Sequence, residues 1–182
     1  MRLWRALPLD RDAKPREPGG AMWFPRPFQG AGRHDNPDLY GCLYVCEQPV
    51  SAVAEALAPF RGSGDLTAAM LERAGRPLAL APIDAPDDAV LVDLDEPRVL
   101  RAERLRPSMV ATRRRTATQQ YAAHLFERHE QAAGLRWWST LESSWINVTL
   151  FDRARRLRAG SAEQLTPHHA AVAEAAQLLG LA

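Results

Sequence analysis

The sequence predicts a mixed α+β domain in which strands and helices do not follow strict βαβ alternation. Short runs of alternating or β-branched residues recur along the chain and predict strands. Apolar stripes at helical spacing are fewer and predict helices, and proline and glycine separate the segments. The 182 residues are enough to bury a sizeable core, so we treat residues 1–182 as a single domain.

The N-terminal part predicts two strands, a loop and a helix. MRLWRAL alternates and predicts a first strand over residues 1–7. Residues 8–28 hold five prolines and a Gly-Gly pair, which predicts a Pro-rich loop. A strand is expected from Tyr40 to Cys46, and Pro49 suits the first turn of a helix that ends at Pro59. Three aromatic residues predict that the second half of the loop packs on the body: Trp23, Phe24 and Phe28.

The central part predicts a helix, two strands and irregular turns. Residues Leu66 to Ala74 suit a short helix closed by Gly75. LALAPI and AVLVDLD then predict two strands separated by a Pro/Asp turn. From Glu96 to Met109 the two prolines favour short helical turns.

The C-terminal part predicts two helices that enclose two strands. Thr116 to Gln131 is expected to be a helix, followed by strands in LRWWS and SWINVTLFD. The last helix is expected over residues 166–181, with Thr166 as N-cap and Gly180 at its end. The expected buried face of the longer helix consists of Ala117, Tyr121, Leu125 and Phe126.

Composition and charge exclude several classes of protein. The net charge is only +1, which argues against a global positive field and predicts no direct binding of nucleic acid or membrane. Cys42 and Cys46 lie about 13 Å apart on one face of a strand, too far for a disulfide. A reducing cytosol is therefore expected. The start of the chain has no signal-peptide pattern, and no apolar run approaches the length of a membrane span.

The stretch from Gly32 to Phe60 carries the strongest candidate site. A glycine-flanked loop carries Arg33, the following strand carries Tyr44, and the next helix carries Glu55. An arginine on such a loop can grip a diphosphate bidentately, so this order suits a phosphate-bearing nucleotide. The alternatives are an exposed surface arginine and a boundary glutamate of an amphipathic helix.

Two further residues are candidates at strand positions. Arg5 stands in an otherwise apolar strand, where a charge is unfavourable unless it is paired or reaches a cleft. Its alternative is the solvated face of that strand. Ser139 follows two tryptophans at a strand end, where functional residues are common. Its alternative is a serine that opens a turn.

Other common site motifs are missing from the sequence. There is no GxGxxG or GxxxxGK[ST], the cysteines and His34 lack zinc spacing, and GxSxG is absent, so we predict no metal. Arg113 to Arg115 open the long helix and could touch phosphate, although a solvated helix start is the simpler interpretation.

Taken in order, these segments resemble the RES domain family, named for its arginine, glutamate and serine. The resemblance rests on LWR, GRHDNP, CLYVCEQPVSAVAEAL, VLVDLD, TQQYAAHLFERHEQAAGLRWWST and NVTLF, which together cover nearly the whole chain. The family usually has an aromatic residue after the loop arginine and a glycine-bearing turn after the proline. This chain instead has His34, Asp35 and Asp38, and it carries a long Pro-rich insertion before the loop.

The resemblance implies an ADP-ribosyltransferase-like fold with a split, curved β core and flanking helices. It also implies a bacterial toxin that cleaves NAD at the nicotinamide–ribose bond, by hydrolysis or phosphorolysis, without a cofactor. Inorganic phosphate would be the second substrate in phosphorolysis, and an Xre-type helix-turn-helix antitoxin would be the partner in a hetero-oligomer. A few members transfer ADP-ribose to protein.

By the same resemblance, Arg5 and Arg33 contact NAD and Tyr44 is the tyrosine of the NAD cleft. Glu55 and Ser139 are the family glutamate and serine. The catalytic set is then Glu55, Arg33 and Ser139, and the NAD-binding set is Arg5, Arg33, Tyr44 and Ser139. An inactive binding module of the same fold and an RNA-cleaving toxin remain as alternatives.

Overall fold

The computed structural model describes residues 1–181, and contacts between Cα atoms divide them into two compact units. Unit 1 consists of Met1–Trp23, Val45–Ala85 and residues 157–181. Unit 2 consists of Phe24–Tyr44 and Pro86–Arg156. Because the chain crosses between the units several times, no single cut in the sequence separates them.

The strands of unit 1 are organised around the long strand β4 (Arg76–Asp84), which pairs with β1 (Arg2–Pro8), β3 (Glu72–Arg73), β8 (Arg158–Ala159) and β9 (Glu163–Gln164). Strand β1 pairs antiparallel along its whole length with β4, from Arg2 opposite Asp84 to Pro8 opposite Leu78. Trp4 of β1 also pairs with Cys46 of β2 (Cys42–Cys46), which confirms the two N-terminal strands expected from the sequence.

The predicted helix from Leu66 to Ala74 is wrong. A 3-10 turn over Ala68–Leu71 is followed directly by the β3–β4 hairpin, in which Glu72 pairs with Pro77. Ala74 and Gly75 form its two-residue turn with φ values of 52° and 72°. Positive φ at both positions suits a turn that matches the twist of paired strands. Gly75 therefore turns a hairpin and does not close a helix.

Two helices complete unit 1. Helix α1 (Pro49–Leu57) begins at the expected proline and buries the apolar stripe that predicted it. The last helix, α5 (Ala170–Leu179), begins later than expected, because His169 and not Thr166 is its N-cap. His169 Nδ1 accepts from the Ala171 amide at 3.2 Å. Gly180 ends this helix in the left-handed conformation, as predicted.

Unit 2 holds the first part of β2, three complete strands and three α-helices. Strand β6 (Gly134–Trp138) pairs parallel with β5 (Leu91–Asp93) and antiparallel with β7 (Ile146–Phe151). The helices are α2 (Pro97–Ala102), α3 (Pro107–Val110) and α4 (Arg115–Arg128). These elements agree with the predicted order, including the helical turns between Glu96 and Met109. The buried face of α4 differs by a partial turn and consists of Thr118, Tyr121, Ala122 and Leu125.

The Pro-rich segment is irregular, as expected, apart from a 3-10 turn at Arg26–Phe28. Of the three aromatic residues expected to pack, Trp23 and Phe24 are half-buried, but Phe28 is not. Phe28 is 81% exposed, whereas Ala21 and Met22 are buried. Ala21 packs with Leu7 in a small core cluster of unit 1. Within residues 1–181, none of the helices combines the length and hydropathy needed to cross a bilayer.

Candidate active site

The loop that carries Arg33 is held in shape by hydrogen bonds to the carboxylate of Asp35. Asp35 is buried, and its Oδ2 accepts from the Gly30 amide at 2.9 Å and from the Gly32 amide at 2.7 Å. Its Oδ1 accepts from the Tyr44 hydroxyl at 2.7 Å. A Cβ on Gly32 would lie 2.5 Å from Asp35 Oδ1 and 2.6 Å from the Tyr44 oxygen, so only glycine fits there. The loop and the strand residue Tyr44 are thus joined by a single side chain.

Arg33 is buried and not an exposed surface arginine, since only 6% of it is accessible. Its Nη1 donates to the carbonyl oxygens of Val110 and Thr112 at 2.9 and 2.8 Å. The guanidinium carbon lies 4.9 Å from the ring centroid of Trp137. These contacts hold the loop against the α3–α4 connection and fix the position of the cation.

Tyr44 lies in the middle of β2, with its hydroxyl between two partners. The hydroxyl accepts from the His34 amide at 2.9 Å while it donates to Asp35. Burial, together with the nearby Cys42 and Asp35, raises the pKa of Tyr44 well above its ordinary value. The phenol therefore stays protonated and keeps its hydrogen bond to Asp35.

His34, which has no zinc-site spacing in the sequence and stands where the family usually has an aromatic residue, is fully buried. Its Nδ1 lies 2.8 Å from Thr149 Oγ1, and its Nε2 lies 2.8 Å from the Tyr121 hydroxyl. The Trp137 ring meets the imidazole edge to face at 5.2 Å. Burial, with the charges of Arg33 and Arg115, places the pKa of His34 well below 6.5. The imidazole is therefore neutral in the folded protein.

A neutral buried histidine makes the fold sensitive to acid. The unfolded chain binds a proton on His34 below about pH 6.5, but the folded chain does not, so stability is complete above that pH and is lost as the pH falls. We expect the free energy of unfolding to decrease by about 2 kcal/mol more for wild type than for His34→Gln between about pH 6.5 and 5. Urea unfolding at several pH values measures this difference. The exposed His124→Gln variant should behave as wild type, and an equal pH dependence in His34→Gln would contradict the expectation.

Ser139 directly follows β6 and is buried, with 2% of its surface accessible. Its amide donates to the Trp145 carbonyl at 2.7 Å, and its Oγ accepts from the Leu141 amide at 3.1 Å. Locally it is the turn-opening serine of the alternative interpretation. Trp137 lies on β6, two residues before Ser139, and is the tryptophan that contacts the Arg33 cation. Unit 2 thus holds three of the predicted site residues: Arg33, Tyr44 and Ser139.

Arg5 belongs to unit 1, where it anchors the Pro-rich segment. Its Nη1 donates to the Ala21 carbonyl at 2.7 Å and lies 3.4 Å from the Gly20 and Trp23 carbonyl oxygens. Burial lowers the pKa of Arg5 to about 10, so the guanidinium is charged at neutral pH. Because its guanidinium is bound by backbone carbonyl oxygens, Arg5 is an anchoring residue and not a free residue of the solvated face.

Loss of this anchor should loosen the segment. We expect Arg5→Ala to lower the free energy of unfolding by roughly 1.5–3 kcal/mol, the value of a hydrogen bond to a charged group. Limited proteolysis should cut residues 10–20 faster than in wild type. Arg2→Ala on the same strand removes only an exposed ion pair with Asp84 and should change stability by less than about 1 kcal/mol. An unchanged unfolding midpoint for Arg5→Ala would contradict the anchoring role.

Glu55 lies on α1 in unit 1 and is half-buried. Its charge acts on the Cys46 thiol, whose pKa burial and Glu55 together raise to about 12, while a hydrogen bond from Ser51 opposes the shift. Both cysteines are buried and free, as the strand spacing predicted. Among residues 1–181, no group of three or more His, Cys, Asp or Glu side chains is arranged to hold a metal ion.

Sequence reasoning missed the polar core around the loop. Besides the closure by Asp35, Asn36 Nδ2 donates to the Tyr40 hydroxyl at 2.7 Å and to the Gln119 carbonyl at 3.0 Å. Gln119 Nε2 in turn donates to the carbonyl oxygens of Gly30 and Gly32, both at 2.9 Å. A usable signal was Thr149, a polar residue flanked by the apolar residues Val148 and Leu150 of β7, because a buried hydroxyl needs a partner.

The chain belongs to the RES domain family, which it matches over residues 2–173. Comparison with curated proteins gives no significant match. Five chains of known structure are significantly similar. One comes from the crystal structure of the M. tuberculosis MbcT–MbcA toxin–antitoxin complex, with 20% sequence identity, a TM-score of 0.66, and coverage of 98% of this chain and 88% of that chain. The α+β class and the ADP-ribosyltransferase-like RES fold predicted from the sequence are confirmed.

Proposed function

We propose that this protein is the toxin of a bacterial toxin–antitoxin pair and that it degrades NAD by cleaving the nicotinamide–ribose bond. The observation that carries the proposal is the match to the RES domain family over residues 2–173. The structural neighbour from a toxin–antitoxin complex supports the toxin part. The buried Arg33 and Ser139 and the half-buried Tyr44 of unit 2 supply residue types that suit a nucleotide site.

The reaction explains why these residue types are needed. Departure of nicotinamide builds positive charge on the ribose, as in glycoside cleavage. A fixed carboxylate stabilises that charge, and Glu55 is proposed to supply it. Nicotinamide leaves as a neutral group, so no strong general acid is required. The neutral, hydrogen-bonded Tyr44 suits binding and positioning of the substrate.

The arginines are proposed to act on the diphosphate of NAD. Arg33 is held by backbone carbonyls at Nη1, which fixes its guanidinium before any substrate arrives. A preorganised cation loses little side-chain freedom on binding, so its hydrogen bonds contribute more to affinity. Arg5 anchors the Pro-rich segment, and we propose that it contributes to NAD binding as well. Ser139 is proposed as a further polar contact to the substrate.

The acceptor of the ADP-ribosyl group is proposed to be water or inorganic phosphate, with no bound cofactor. Purified protein incubated with NAD should release free ADP-ribose if water attacks, and ADP-ribose 1″-phosphate if phosphate attacks. Transfer to protein would instead leave a labelled polypeptide. Incubation with and without phosphate, followed by mass spectrometry of the products, separates the three outcomes.

The partner is proposed to be an Xre-type helix-turn-helix antitoxin that covers the active site. Wild type expressed alone should arrest bacterial growth and lower cellular NAD, and co-expression of a neighbouring gene of that type should restore growth. Copurification should yield a stable complex of the two proteins. Normal growth and normal NAD during expression of the wild type alone would contradict the toxin proposal and favour an inactive binding module.

A further inference from the structure

Unit 2 carries an exposed, arginine-rich segment whose charge is hidden in the low net charge of the whole chain. Between Pro97 and Arg115 the sequence has seven arginines and a single acidic residue, Glu103. The net charge of the whole chain is only +1 because acidic residues elsewhere in the sequence offset the positive charge of this segment. We call the set the arginine surface. All seven side chains are exposed: Arg98, Arg101, Arg104, Arg106, Arg113, Arg114 and Arg115.

The one acid of the segment does not offset these charges at the surface. The Glu103 side chain is only 4% exposed and pairs with Arg128 at 3.3 Å and with His129 at 3.0 Å. Arg98 pairs with the preceding Glu96 at 3.2 Å. Five of the arginines make no ion pair with any other residue from 1 to 181: Arg101, Arg104, Arg106, Arg113 and Arg114.

The backbone of this segment is fixed. Leu100 of α2 and Val110 of α3 are buried in the core of unit 2, and Val99 and Leu105 pack against the same cluster. The amide of Arg104 donates to the Arg101 carbonyl at 3.2 Å, which brings the bases of these two side chains close together. The arginines therefore project from an ordered scaffold and not from a flexible tail.

Several of these arginines lie at the starts of helices, where arginine is an unfavourable residue. Arg106 is the N-cap of α3 and Arg114 is the N-cap of α4, and neither makes a side-chain capping bond. Small polar or acidic residues are preferred at N-caps, and the positive end of the helix dipole repels a cation. Arg113 and Arg115 add like charges on either side of Arg114. Residues that oppose local stability in this way are typical of functional surfaces.

We propose that the arginine surface binds the phosphate backbone of double-stranded nucleic acid without reading its sequence. Arginines and the backbone amides of helix N-termini are the usual contacts to nucleic-acid phosphates. The residues from 97 to 115 include no aromatic side chain on which unpaired bases could stack, which disfavours a single strand. The large aliphatic side chains of the segment are buried or packed against the core, while Met109 is 38% exposed and the other exposed apolar residues are small alanines and prolines. A protein interface normally needs a larger apolar centre.

The test compares two variants with equal loss of charge. The first replaces four residues of the arginine surface by glutamine: Arg101, Arg104, Arg113 and Arg114. The control variant makes the same replacement at four exposed arginines elsewhere: Arg16, Arg61, Arg155 and Arg158. Circular dichroism and thermal unfolding confirm that both are folded. Binding to a labelled duplex of mixed sequence is then measured by fluorescence anisotropy over a range of salt concentrations, with poly-glutamate as a competing acidic polypeptide.

Wild type should bind the duplex with an affinity that falls steeply with salt, and poly-glutamate should compete poorly. Each phosphate contact contributes about 0.9 to the magnitude of the slope of log K against log salt. The variant that lacks four arginines of the arginine surface should therefore have a slope smaller in magnitude by about 3 to 4. The control variant should keep the wild-type slope. No duplex binding by wild type at low salt, equal losses in both variants, or tighter binding of poly-glutamate than of the duplex would each overturn the proposal. None of these outcomes depends on NAD cleavage.

Discussion

Glu55→Gln should reduce NAD consumption by about 100-fold or more while the protein stays folded. The proposed transition state carries positive charge on the ribose, and the substitution removes a negative charge but keeps the shape of the side chain. Glu55 is half-buried on the ordered helix α1, so the neutral amide should not disturb packing. The rate of nicotinamide release, measured alongside thermal unfolding, checks both parts of the expectation.

Glu174→Gln provides the matched control for this variant. Glu174 is exposed on α5, which belongs to the same unit as Glu55, and its replacement removes the same charge from the molecule. It should leave activity and stability as in wild type. Activity of Glu55→Gln within a few-fold of wild type would remove Glu55 from the mechanism.

Arg33→Ala should lower the free energy of unfolding by roughly 2–5 kcal/mol, because it leaves a buried cavity and removes the donor to two carbonyl oxygens, one buried and one partly buried. Those oxygens belong to Val110 and Thr112, and the guanidinium also covers the face of Trp137. Urea unfolding of the variant measures the loss. Where the variant is folded, its KM for NAD should rise, since the proposed diphosphate contact is also lost.

Two variants separate these roles of Arg33. Thr118→Val removes the hydroxyl that donates to the Arg33 carbonyl, and it loosens the loop without touching the guanidinium. Arg33→Lys keeps the charge but loses the planar fork. If Arg33 only anchors the loop, Thr118→Val and Arg33→Lys variants of equal stability should have equal KM values. A larger KM for Arg33→Lys at equal stability is the expected result, and equal values would contradict the diphosphate contact.

Most of the helices and strands were predicted correctly because the residues that determine them are adjacent in the sequence. Strand β7 is predicted by its run of β-branched residues, and helix α1 is predicted by the proline at its start and the apolar stripe that follows. The helix expected from Leu66 to Ala74 failed because Ala74 and Gly75 together form a hairpin turn, and a glycine after an apolar run looks the same in both cases. The two-residue strands β8 and β9 are too short to leave a pattern.

The sequence indicates single candidate residues but not the network around them. Arg33, Tyr44 and Ser139 are candidates from the sequence, whereas the hydrogen bonds that Asp35 makes across the loop depend on the folded path of the chain. The contact of His34 with Thr149 joins residues 115 positions apart, which spacing cannot predict. Likewise, Arg5 looked like a residue of a cleft or of a solvated face, and its role as an anchor emerged only with the path of the Pro-rich segment.

The central claim is that this protein cleaves NAD, and the release of nicotinamide by the purified wild type tests it most directly. NAD labelled in the nicotinamide ring should yield free nicotinamide with repeated turnover, matched by equal amounts of an ADP-ribosyl product. No release of nicotinamide by folded wild-type protein, with and without phosphate, would contradict the claim.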